Sequence, residues 1–84
     1  MLMTREGLIK LIGKTAQEIL PDIEDHQFSG SDRLIDLGAN SVDRAEIVML
    51  VQEALQLSIP RVELFGPKNI GELADLFWGK MNAS

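Results

Sequence analysis

In Asp36-Leu37-Gly38-Ala39-Asn40-Ser41-Val42-Asp43-Arg44-Ala45-Glu46-Ile47-Val48-Met49-Leu50 a polar loop gives way to an apolar helix, and the architecture of the whole chain hangs on that junction. The first turn of a helix leaves N–H groups without intrahelical partners, and the side chain of Asn40 or Ser41 can accept from one of them. Asp43 falls in the first turn, where the helix dipole favours a negative charge. Gly38 can take positive φ and so lets the chain turn sharply into the helix.

At about 100° per residue, Ile47, Val48, Val51, Ala54 and Leu55 share one broad face, as on a helix packed against a core. Val42, Ala45 and Met49 form a second stripe on the other side, with Glu46 and Glu53 beside it. One core-facing side does not account for that stripe. It fits a helix buried nearly all round, or a docking surface with an apolar middle and an acidic rim that begins next to Ser41.

Working outward, Thr4 caps a first helix over about residues 4–20, with Leu8, Ile12, Ala16 and Ile19 at helical spacing and Pro21 stopping it. Residues 21–40 read as a loop, long for a small domain and therefore pinned by its own side chains or functional. Phe28, Leu34, Ile35 and Leu37 are the expected pins, Ser29-Gly30-Ser31-Asp32 a turn, and Asp32 to Asp36 a short helical turn. His26, the one histidine, reads as a solvated loop residue. Pro60 suits the start of a short helix at about 60–65, ended by Gly66-Pro67. Asn69 and Glu72 make a capping-box-like start to a last helix at about 69–81, with Ile70, Leu73, Phe77 and Met81 inward, Trp78 at the edge, and residues 79–84 expected to fray. The predicted fold is all-α: a small four-helix bundle of three longer helices, one short third helix and a long first loop, forming one domain over residues 1–84.

Composition removes whole classes of function. The 84 residues contain no cysteine, so disulfides, zinc-thiolate sites and a thiol nucleophile are excluded, and no metal site is expected because the loop acids do not match a calcium loop. Net charge is −5, of which residues 18–46 contribute −6 and the remainder +1. Phosphate neutralisation needs clustered Lys and Arg, so nucleic acid is not an expected partner, whereas a basic protein surface is. The sequence holds no apolar run of about 18 residues and no signal-peptide pattern at its start, so no membrane association and a cytoplasmic location are expected. A catalytic serine needs a base and an oxyanion site, and with one loop histidine and no Gly-x-Ser-x-Gly elbow this chain is not expected to be an enzyme. Ser41 is better placed to accept chemistry performed by another protein.

Leu37-Gly38-Ala39-Asn40-Ser41-Val42, followed by Glu46-Ile47-Val48, resembles the signature of the acyl carrier proteins, in which a Gly-x-Asp-Ser-Leu run opens the second helix. The resemblance extends over the whole helical pattern, with Phe28 and Leu34 similar to the positions that tie the family's first loop to its helices. Asn40 stands where the family usually has Asp, and Val42 where it usually has Leu. Asn still caps a helix, and the missing charge bears on which transferase or partner enzyme recognises the site. The resemblance implies a 4'-phosphopantetheine arm joined to the Ser41 hydroxyl by a phosphopantetheinyl transferase that uses coenzyme A and magnesium. It implies docking of partner enzymes on Asn40, Val42, Asp43, Ala45, Glu46, Met49 and Glu53, with Val62 and Phe65 beside the arm or in the core.

The Gly-Ala-Asn-Ser-Val-Asp run is similar to free-standing carriers of polyketide β-branching, which present acetyl or malonyl-derived units to a hydroxymethylglutaryl-synthase-like enzyme. Acceptor carriers of those systems tend to have Trp six residues after the serine; Ile47 stands there, which implies the donor role. The implied partners include an acyltransferase and a ketosynthase-like decarboxylase, and the carrier is expected to act as a monomer. A carrier of fatty acid synthesis, a carrier of aminoacyl or peptidyl cargo, and a helical interaction module in which Ser41 is only a cap remain alternatives at this point.

Overall fold

The computed structural model describes residues 4–23, 25–64 and 66–82. Helix α1 spans Arg5–Ile19, α2 Ser41–Leu55, α3 Arg61–Leu64 and α4 Ile70–Asn82, with a 3₁₀ turn at Pro21–Ile23. Among the described residues every regular element is helical, in agreement with the all-α reading. A radius of gyration of 11.8 Å is that of a compact chain of this length, for which about 12 Å is expected.

α1 is the central element, packing against both α2 and α4. Thr4 Oγ1 accepts from the Gly7 amide at 3.0 Å, and the helix then buries Leu8, Ile9, Ile12 and Ala16. It ends at Leu20, whose extended backbone precedes Pro21 as the ring of proline requires. These side chains join Ile47 and Val51 of α2 and Ile70, Leu73, Ala74 and Phe77 of α4 in one core.

The connection from α1 to α2 is more ordered than a plain loop, beginning with the 3₁₀ turn. Phe28 packs against the core, and a methyl added at Gly13 of α1 would collide with the edge of its ring. Leu34 and Leu37 also pack inward, but Ile35 does not: it is 52% exposed. The cause is a series of tight turns, in which Leu34 O accepts from Leu37 and Ala39, with Gly38 N donating to Ile35 O. This series covers 34–38 and stands in place of the helical turn expected over 32–36. His26 is not simply solvated. Its Nε2 lies 3.0 Å from Asp32 Oδ2 and its ring meets Phe28 edge-on at 4.8 Å, because the loop folds back and brings residue 32 to residue 26.

The same loop completes α4. Asn69 Oδ1 accepts from Glu72 N at 2.8 Å, but Glu72 returns its bond to Lys68 N, so the box is offset by one residue. Ile70 N donates to Asp32 O at 2.8 Å and Gly71 N to Gly30 O at 2.9 Å. Three N–H groups of the first turn are thereby satisfied, two of them by the distant loop. Gly71 permits the approach, since a Cβ there would stand 2.8 Å from the Gly30 carbonyl oxygen. α4 continues through Asn82, past the expected fraying point, and Asn82 Nδ2 donates to Trp78 O at 2.7 Å across its last turn. An ion pair of 2.7 Å between Lys80 and Glu63 ties α3 to α4.

Candidate functional site

At the head of α2 the cap is Asn40, not Ser41. Asn40 Oδ1 accepts from Asp43 N at 2.8 Å, and Asp43 Oδ2 accepts from Asn40 N at 3.2 Å, a reciprocal capping box built from Asn and Asp. Gly38 with φ 99° turns the chain into this start, and buried Ala39 anchors it. Ser41 is the first helical residue and is exposed, with no hydrogen bond to its hydroxyl among the described residues. Capping and chemical availability are therefore divided between neighbouring side chains.

Along α2, Ile47 and Val51 are fully buried and Val48 and Leu55 half-buried. Ala54, expected on this face, is exposed: its methyl does not reach the core against which the longer side chain of Leu55 beside it packs. The second stripe lies in water: Val42 is 72% and Met49 52% exposed, with Ala45, Glu46 and Glu53 exposed around them. A helix buried nearly all round is thus excluded. α2 closes on Gln56 in the left-handed region (φ 57°), where Leu57 N donates to Gln52 O at 2.9 Å.

Beside Ser41 an open groove of about 800 Å³ runs between α2, the end of the loop, α3 and the start of α4. Leu34, Val48, Ile59, Leu64 and Leu73 give it an apolar floor. Val62 does not line it and is 77% exposed, since on a one-turn helix it faces about 200° away from Leu64, which does. Phe65 lies outside the described residues. Arg33, Arg61 and Lys68, which also line the groove, drew no attention in the sequence because they come from separate segments and follow no local spacing.

In the loop, the Ser29 N–H donates to the Asp32 carboxylate at 2.8 Å and holds it below the ordinary carboxylate range, opposed by partial burial and assisted by His26. Among the described residues no cluster of His, Asp and Glu is arranged to hold a metal, and no helix is long and apolar enough to cross a membrane.

The fold and this helix start define a small helical bundle that presents an accessible hydroxyl. A family model described as the phosphopantetheine attachment site matches residues 10–77. AcpK of Bacillus subtilis (strain 168), a polyketide biosynthesis acyl carrier protein, is 44% identical over 82 residues, which is 98% of this chain and 100% of that protein. An acyl carrier protein of Cyanidium caldarium is 26% identical over 81 residues, covering 96% of this chain and 94% of its own length. One chain of the crystal structure of the curacin biosynthetic pathway HMG synthase in complex with acetyl donor-ACP superimposes with a TM-score of 0.83 and 55% identity, covering 89% of this chain and 96% of that one. The chain belongs to the phosphopantetheine attachment family, the acyl carrier proteins, whose members bear the 4'-phosphopantetheine arm covalently on a serine.

Proposed function

We propose that Ser41 is the attachment serine and that this carrier serves polyketide biosynthesis as the donor of an acetyl or malonyl-derived unit for β-branching. The observation that carries the assignment is the exposed Ser41 hydroxyl at the first position of α2, free of the capping bonds that Asn40 and Asp43 make. Inside a phosphopantetheinyl transferase, which supplies magnesium and takes up the hydroxyl proton, Ser41 Oγ bonds to the pantetheine-bearing phosphorus of coenzyme A while the pyrophosphate P–O bond breaks and adenosine 3',5'-bisphosphate leaves. The start of α2 tolerates the added negative charge because its N–H groups and dipole favour an anion. When bound, the arm supplies the thiol on which acyl groups travel as thioesters. The apolar floor of the groove beside Ser41 offers the arm a resting place in which Leu64, rather than Val62, is the contribution of α3.

In this reading the chain performs no catalysis itself and works as a cytoplasmic monomer, with enzymes as its partners. Val42, Ala45 and Met49 make the apolar middle of the docking surface, and Asp43, Glu46 and Glu53 meet Arg or Lys of each enzyme in turn. Contacts with an acyltransferase, a ketosynthase-like decarboxylase and a hydroxymethylglutaryl-synthase-like enzyme are brief, as interfaces below about 1,200 Å² allow. The donor role is supported by the likeness to a carrier described as an acetyl donor and by Ile47, fully buried where acceptor carriers tend to have Trp.

Intact mass before and after incubation with coenzyme A, magnesium and a broad-specificity transferase tests the attachment. The expected gain is one phosphopantetheine, mapped by fragmentation to Ser41 and absent from Ser41→Ala. A wild-type chain that several transferases leave unchanged would return Ser41 to a merely structural place in α2.

A further inference from the structure

The groove has an apolar floor and a basic rim. Arg33, Arg44, Arg61 and Lys68 line it together with a single acid, Glu46, giving the lining a net charge of +3 in a chain whose net charge is −5. Internal pairing accounts for only part of this excess. Away from the groove, Arg5 and Lys80 are matched to Asp75 at 2.6 Å and Glu63 at 2.7 Å, whereas Lys10 and Lys14 of α1 have no ion-pair partner among the described residues. Arg33 Nε stands 3.6 Å from Asp36 Oδ2, Arg44 Nη1 donates to the Ala39 carbonyl at 3.4 Å, and among the described residues Arg61 and Lys68 have no ion-pair partner.

We propose that this groove holds acyl groups that end in a carboxylate, of the malonyl type, with Arg61 and Lys68 as its principal contacts and Arg33 and Arg44 supporting them. The inference rests on attachment of the arm to Ser41. An apolar floor under a cationic rim suits a ligand with an uncharged stem and an anionic end. Guanidinium and ammonium groups both donate charge-assisted hydrogen bonds to carboxylate. Each exposed contact is weak, but a tethered cargo meets the rim at an effective concentration on the order of mM. The phosphodiester at Ser41 accounts for one negative charge and leaves the lining still cationic. An acidic segment of a partner protein is disfavoured, because Asp43, Glu46 and Glu53 on the adjoining surface of α2 would repel it.

The consequence is a hold that depends on the state of the cargo. When a decarboxylase breaks the bond between the α-carbon and the carboxylate, CO2 leaves and the electron pair on the α-carbon takes a proton from the enzyme's site. The acetyl group that results has no charge for the rim to hold.

The test compares three loaded forms of the full chain by backbone amide NMR: the free-thiol arm, and arms ending in acetyl or malonyl through an amide that replaces the thioester. The expected result is movement of the Arg61, Leu64 and Lys68 amides in the malonyl form alone. That movement should fall by more than half between about 0.05 and about 0.5 M salt, and vanish in the Arg61→Glu, Lys68→Glu double variant. Equal movement in the acetyl form would overturn the proposal, and equal movement in the free-thiol form would assign the rim to the phosphodiester and overturn it too. Intact mass of each sample separates the two levels: no gain removes attachment and this inference together, whereas full gain without a malonyl-specific movement removes this inference alone.

Discussion

Ser41 and Asn40 show how much one residue's position changes an expectation. From the sequence alone either side chain can cap α2, and Ser41→Ala would then cost about 0.5 to 2 kcal/mol. With the cap on Asn40, that loss of about 1 kcal/mol belongs to Asn40→Ala, and Ser41→Ala leaves the melting temperature near that of the wild type. Asp32 makes a second residue-scale prediction. Its carboxyl is held below the ordinary value, chiefly by the Ser29 N–H, so it contributes stability above the unfolded carboxylate range, and this is lost as pH falls through the lowered folded value. Asp32→Asn should therefore be less stable than the wild type near neutrality, with the gap closing in strong acid. A gap that stays constant down a series of acid unfolding curves would show that the carboxylate's charge contributes nothing there.

At the scale of elements, what the sequence made legible was local. Caps at Thr4 and Asn69, the stop at Pro21 and the apolar periodicities of α1 and α4 each lie within a few residues of what they control, and the all-α bundle follows from them. What it did not reveal was contact between distant segments. The pairing of His26 with Asp32, the seat of Phe28 against Gly13 and the groove cations all depend on where the loop goes once it leaves α1. Gly71 is a clear instance. In a helix, Gly→Ala normally adds up to about 1 kcal/mol of stability, but here the new methyl would collide with the backbone of Gly30. Gly71→Ala should instead lose roughly 2 kcal/mol, lowering the melting temperature by about 10 °C in a domain of this size. A rise on calorimetry would mean the loop yields without loss.

Across the whole molecule, charge is segregated. Acids crowd residues 18–46 and the outer surface of α2, while half of the chain's eight Lys and Arg residues line the groove beneath. An exposed acidic surface steers a basic partner at long range, and that steering is screened within about 10 Å at 0.1 M salt. Glu46→Lys should accordingly slow acyl transfer to a partner enzyme most at low salt, with helicity by circular dichroism unchanged. Transfer rates for this variant that match the wild type at every salt concentration would remove α2's acidic rim from the docking surface. The segregation was only half visible beforehand, since the acidic run is contiguous in sequence and the basic lining is assembled from separate stretches.

The two bonds from Ile70 and Gly71 to the carbonyls of Asp32 and Gly30 also tie a knotless lasso. Everything between, from residue 33 to residue 69, is enclosed by that clasp: the serine, the stripe on α2, α3 and all of the groove lining except Leu73. α1 and most of α4 act as the frame on which this noose is mounted. The exposed serine, the apolar stripe and the groove thus sit on one length of chain whose clasp adds to the seating of α2 on α1 and to the Lys80–Glu63 pair, so the three share a common set of fastenings.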